Sequence, residues 1–232
     1  MTGAPATYDA LCTRLEHVQL LAFDVDDTLI DTFQTSFRRT DSAGKQLGYD
    51  PLAMADFQRV YGNIPFPECV THWYDGVDPA NFVDTYARMR DAHPYTAFVD
   101  GPKLASTVRK AGFQLAVLTN TPSHRLVPKL DLIGLCGADA PDYCYGRADL
   151  PEPKPSGAAF DPLLRASGLT ADRVMYVGDA PSDYAAATAA GVGFVGVASG
   201  PHPSGTDSQM TMPGITDILN LLSQGPFASC HR

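Results

Sequence analysis

At 232 residues, with 44% hydrophobic and 19% charged side chains, the chain has the composition of a folded globular protein and is not a candidate for wholesale disorder. Its length suits one large domain, or a main domain carrying an inserted smaller one. The formal net charge of -9 argues against a nucleic-acid or anionic-membrane surface, so any phosphate-bearing ligand must be held by local positive charge.

In chain order, Met1 to Gln19 lacks a basic segment followed by an apolar core, and no apolar run reaches membrane-spanning length, so a cytoplasmic protein is expected. Leu11 and Leu15 predict a short helix over Tyr8 to His17. Leu20-Leu21-Ala22-Phe23 reads as a buried strand that stops at Asp24-Val25-Asp26-Asp27-Thr28. Carboxylates two apart on an extended segment point to the same side, and like charges held that close need a cation or a raised pKa. Residues 31–95 change character: aromatic side chains are frequent, no clean strand stands out, and Asp50-Pro51 and Asp78-Pro79 resemble helix starts. Roughly four helices are expected there.

From Gly101 the rhythm is regular. Helices are predicted over Pro102–Ala111, Ser123–Leu130, Ser156–Gly168, Ser182–Ala190 and Ile215–Leu222, and strands over Phe113–Leu118, Arg173–Val177 and Gly193–Val197. The stretches 134–155 and 201–214 read as loops, and 225–232 as a loose tail. The five cysteines, Cys12, Cys69, Cys136, Cys144 and Cys230, contain no CxxC pair and are expected to be reduced. Alternating strands and helices imply a parallel sheet covered on both faces, whose C-terminal strand edge is where ligands bind. Three predicted strands end there in reaction-ready residues: Asp24 with Asp26, Thr119 with Asn120, and Asp179.

Taken together, Phe23-Asp24-Val25-Asp26-Asp27-Thr28-Leu29, Val117-Leu118-Thr119-Asn120, Lys154-Pro155 and Val177-Gly178-Asp179 with Asp183 resemble the four motifs of the haloacid dehalogenase-like superfamily. Within it, the chain looks like the phosphoglycolate phosphatase-like group, which carries a helical cap after the first motif. The resemblance implies an α/β, Rossmann-like parallel-sheet core (1–30 and 96–232) with an all-helical cap (31–95). Asp24 would be the nucleophile, forming an aspartyl-phosphate, and Asp26 the acid that protonates the leaving oxygen and later deprotonates water. Mg2+ would be held by Asp24, Asp179 and the backbone carbonyl of Asp26, with Asp183 a ligand or the acceptor that orients a metal-bound water. Thr119, Asn120 and Thr28 would bind the phosphoryl group, Lys154 would supply positive charge, and Arg38 and Arg39 of the cap are candidates for a carboxylate or second phosphate on the substrate.

One departure stands out: Asp27 replaces the glycine that many relatives of this group carry. The expected partner is a small phosphorylated metabolite, with monomer and dimer both left open. Asp26 weighs against a dehalogenase and against a phosphonate-cleaving enzyme. A phosphomutase, a phosphoacceptor module and a silent binding protein on the same scaffold are the alternatives.

Overall fold

The computed structural model describes residues 4–62, 64–200 and 211–224. The expectations for 201–210, for the tail 225–232 and for Cys230 lie outside the described residues. The chain divides into two compact units, 1–31 with 97–232, and 32–96. The sequence had placed each crossing one residue earlier.

In the first unit, α1 (Ala4–Leu15) leads into β1 (Leu20–Phe23), and β2 (Ile30–Asp31) ends the first pass. All four β1 side chains are buried, as expected of a central strand covered on both faces. The second unit holds α2 (Phe33–Gln46), α3 (Met54–Val60), α4 (Phe66–Trp73) and α5 (Pro79–Arg88). Ala43, Val70, Tyr74 and Phe82 form its core, and Phe57 sits amid a cluster of rings, stacked on Tyr61 at 4.5 Å and on Trp73 at 5.0 Å. Such ring pairs add about 0.5–1.5 kcal/mol each beyond the area they bury. Asp78 caps α5 as expected, accepting from Ala80 N and Asn81 N with Pro79 in the first turn. Asp50-Pro51 does not begin a helix. Asp41 takes the Leu52 N–H at 3.0 Å, and α3 begins only at Met54.

The chain then continues through β3 (Thr96–Ala97), α6 (Gly101–Lys110), β4 (Gln114–Leu118), α7 (Ser123–Leu132), β5 (Tyr143–Tyr145), α8 (Asp161–Ser167), β6 (Val174–Gly178), α9 (Pro181–Ala190), β7 (Gly193–Val197), β8 (Thr211–Met212) and α10 (Ile215–Gln224). Six strands form one parallel sheet in the order β5-β4-β1-β6-β7-β8, giving the Rossmann-like α/β core the sequence implied. One face is packed by Phe160, Leu163, Ala186 and Ala187 over Leu20, Ala22, Leu118 and Tyr176. Fully burying a side chain the size of Leu or Phe contributes about 1.5–3 kcal/mol, so this layer fixes where the strand ends lie.

Two strands fall where the sequence predicted loops. β5 lies at the sheet edge with the half-buried to exposed pattern of Tyr143-Cys144-Tyr145, too short and too mixed to show a buried-strand signature. β8 is two residues long and is defined by its pairing with β7. The predicted helix over Ser156–Gly168 is a 3-10 turn, Gly157–Phe160, followed by α8, which Gly168 closes in the left-handed conformation at φ 68°.

After β1 the chain folds into a tight loop. Leu29 and Ile30 both donate to the Val25 carbonyl, and Asp27 donates to the Ile30 carbonyl at 2.8 Å. Asp27 sits at φ 59°, while Ser199 Oγ donates to its carbonyl at 2.6 Å. That backbone conformation accounts for the departure at this position: glycine adopts it freely, and Asp is among the few L-residues that tolerate it. Asp27→Gly should therefore leave stability within about 1 kcal/mol of the parent, whereas Asp27→Val should lose about 2 kcal/mol or more. Urea unfolding checks this, and equal stability of the two variants would contradict it.

Candidate active site

The residues that end β1 and β4 are positioned by the ladder itself. Asp24 N donates to Val177 O at 2.9 Å, extending the β1–β6 pairing one residue past the strand, and Thr119 N donates to Tyr145 O at 3.0 Å beyond β4. Asp24, Asp179 and Asp183 are buried, and each offers a carboxylate oxygen within 4.8 Å of the others. Two glycines make room for them. A Cβ on Gly178 would stand 2.3 Å from Asp183 Oδ2, and one on Gly200 would stand 1.9 Å from Asp179 Oδ2.

Lys154 reaches into this cluster from the loop before α8. Its Nζ lies 2.7 Å from Asp24 Oδ1, 2.5 Å from Asp183 Oδ1 and 2.7 Å from the Tyr176 hydroxyl, which in turn donates to the Leu118 carbonyl at 2.7 Å. Burial works against the ammonium, but the adjacent Asp183 and Asp24 outweigh it and push its pKa above the ordinary lysine value. Asp183 Oδ2 accepts from Ala180 N at 3.0 Å, so this acid also stitches the start of α9 to the site. Burial pushes Asp24 up to about 6 against the pull of Lys154, with Asp183 and Asp26 adding to the rise. Asp179 is pushed up to about 9, chiefly by burial and then by the charges of Asp24, Asp183 and Asp27. One lysine does not balance three acids. The all-oxygen donor set and the residual repulsion fit a hard divalent cation.

Several residues predicted to touch substrate have side chains engaged within their own unit. Thr28 is fully buried and donates to Asp179 Oδ1 at 3.1 Å. Asn120 pairs with the backbone of Lys154 in both directions, Nδ2 to its carbonyl at 2.9 Å and Oδ1 from its N–H at 3.0 Å, and so pins the lysine loop. Arg39 is buried in the helical unit, its Nε donating to the His93 carbonyl at 2.8 Å and its guanidinium lying over the Tyr95 ring. These three side chains are engaged with the protein's own groups, whereas Arg38 is exposed. Thr119 Oγ1 donates to Thr121 Oγ1 at 3.2 Å, and Thr121 Oγ1 donates to Asp26 Oδ2 at 2.5 Å. The other oxygen of Asp26 is paired with Lys129 of α7.

Sequence reasoning missed Thr121, Lys129, Tyr176 and Gly200, and it quoted Gly178 only as part of the Asp179 motif. Of these, Lys129 left a signal, since it falls three residues after Leu126 and directly before Leu130, on the helix stripe that faces the core. A groove of about 870 Å³ lined by Arg14, His17, Arg173 and Phe194 contains none of the site acids. No helix of the described residues is long and apolar enough to cross a membrane.

The haloacid dehalogenase-like hydrolase family profile matches residues 21–197, and the chain belongs to that family. A phosphoglycolate phosphatase from Pseudomonas putida is 29% identical over 218 residues, covering 88% of this chain and 78% of the relative. A structure assigned as a phosphoglycolate phosphatase from Haemophilus somnus superposes with a TM-score of 0.71 at 22% identity, covering 88% of this chain and 98% of that one. One assigned as a β-phosphoglucomutase from Thermotoga maritima gives the same TM-score at 20% identity, again over 88% of this chain and 98% of that one.

Two predictions come from this geometry. Gly178→Ala should displace Asp183 and Lys154 together and lower turnover at least tenfold, and an unchanged rate would contradict the close packing. In metal-free protein, Asp24 and Asp179 hold protons that the unfolded chain has released above its carboxylate pKa of about 3.9, so stability should fall as pH rises from 5 toward 9. Mg2+ should then raise the melting temperature more at pH 8.5 than at pH 5. A stabilisation independent of pH, followed by differential scanning fluorimetry, would contradict this.

Proposed function

We propose that the protein is a Mg2+-dependent phosphatase that hydrolyses a small phosphomonoester through an aspartyl-phosphate, with phosphoglycolate-like acids and sugar phosphates as the substrate class. The observation that carries this reading is Asp24, buried at the end of the central strand with Lys154 Nζ at 2.7 Å and two further acids around it. Family membership supports the hydrolase assignment, and the name of the Pseudomonas putida relative supports the substrate class.

In this reading a carboxylate oxygen of Asp24 attacks phosphorus, and the bond to the leaving oxygen breaks. Asp26 gives that oxygen a proton. Water then attacks the phosphoenzyme, Asp26 takes its proton, and inorganic phosphate leaves as Asp24 is restored. Asp24, Asp179 and the Asp26 carbonyl would hold Mg2+, which when bound screens the repulsion between nucleophile and phosphate dianion. Thr119 would donate to a phosphoryl oxygen, and Lys154 would stabilise the charge that develops there. Asp183, Asn120 and Thr28 support Lys154 and Asp179. The helical unit would act as the cap that reads the leaving group, with Arg38 an exposed arginine available to a substrate anion.

The fold is shared by structures assigned to hydrolases and to a mutase, so products must separate the two. Purified protein with Mg2+ should release inorganic phosphate from at least one of a panel of phosphoglycolate, sugar phosphates and other phosphorylated metabolites. Asp24→Asn should lower that rate by about 10⁴-fold or more without unfolding the protein. Failure on every ester, or full activity in Asp24→Asn, would overturn the reading. Interconversion of sugar phosphate isomers without net phosphate release would mark a mutase instead.

A further inference from the structure

Lys129 lies outside every motif that carries the family resemblance, yet it is the second buried lysine of the site. It sits in the last turn of α7 on the stripe formed with Leu126 and Leu130, 7% exposed. Packing would favour an apolar side chain at such a position, because a lysine there must be paired to offset the loss of its hydration. Its partner is Asp26 Oδ1. Thr121 Oγ1 grips Oδ2 of the same carboxylate at 2.5 Å, and Thr121 N donates to Thr119 Oγ1 at 3.2 Å. Lys154 serves Asp24 and Asp183, so the two lysines contact different acids of the site.

We infer that Lys129 is a positioning residue for Asp26: with Thr121 it clamps both carboxylate oxygens and fixes the orientation in which Asp26 meets the leaving oxygen. A carboxylate side chain has two rotatable bonds, and its oxygens keep one direction only if something holds them. One ligand on each oxygen fixes the plane of the group, which a single hydrogen bond does not. Proton transfer needs the donor oxygen within hydrogen-bond reach of the leaving oxygen, and a misplacement of about 1 Å costs on the order of 10²-fold. This inference rests on Asp26 being the acid of the proposed phosphatase reaction.

The test uses the full chain with Mg2+ and two kinds of substrate, p-nitrophenyl phosphate and the best alkyl phosphate found by screening. Because kcat/KM reports steps up to formation of the phosphoenzyme, it is sensitive to how much help the leaving oxygen needs. Lys129→Met should lower kcat/KM about 10- to 100-fold on the alkyl phosphate. On p-nitrophenyl phosphate, whose leaving group departs without a proton, it should lose no more than about threefold. Lys129→Gln, which keeps a hydrogen-bond donor, should recover part of the loss and serves as the measured variant if Lys129→Met does not fold. In an Asp26→Asn background, Lys129→Met should cost no more than about twofold further, because the group it positions is gone.

Equal losses on both substrates, or the same loss with and without Asp26, would show a merely structural lysine and overturn the inference. So would full activity of Lys129→Met on the alkyl phosphate. Full activity of Asp26→Asn alone would instead remove the acid from the proposed reaction, and the two failures are thereby told apart.

Discussion

Three carboxylates buried within 4.8 Å of one another are the constraint on which the rest of the structure depends. Left alone, such a cluster would take up protons or push the strand ends apart, since each charge is both desolvated and repelled. Lys154 meets part of that cost by contacting Asp24 and Asp183 at once. The lysine is in turn held from beneath by Tyr176 and at its backbone by Asn120. Removing Tyr176 would take a partner from the buried ammonium, and removing Asn120 would free the loop that carries it. The site is therefore better described as one electrostatic unit than as a set of separate residues.

The sheet makes this unit rigid. β1 is paired on both sides, by β4 and by β6, and its last ladder bond is made by Asp24 itself. The nucleophile of the proposed reaction thus inherits the order of a fully buried central strand. Gly178 and Gly200 complete the arrangement by what they lack, since a methyl group at either would occupy the space of an acid oxygen. Backbone conformation matters at one further point, Asp27, where the left-handed φ explains how an aspartate stands in for a glycine.

Much of the core was legible in the sequence because its signals are local and strong. The continuous apolar run of β1, the acids that end it, and Asp78 with Pro79 at the start of α5 each announce themselves within a few residues. The edge strands β5 and β8 did not, because a short strand with one open side carries no distinctive pattern and is defined by its neighbour. Thr28, Asn120 and Arg39 were recognisable as important, but their hydrogen-bond partners within the protein were not legible. Residue type says that a group can donate hydrogen bonds, whereas the identity of the acceptor depends on chain segments 34 to 151 residues away. Lys129 shows the converse. Its place on the buried stripe of α7 marks it as unusual, but only the long-range pairing with Asp26 brings it into the site.

The central claim, that Asp24 becomes phosphorylated during turnover, is tested most directly by quenching the protein in the presence of Mg2+ and a hydrolysed phosphate ester, reducing with borohydride, and mapping the peptide by mass spectrometry. Reduction of an acyl phosphate converts aspartate to homoserine, and the account predicts that conversion at position 24 alone. Homoserine at another aspartate, or steady turnover with none at position 24, would contradict it.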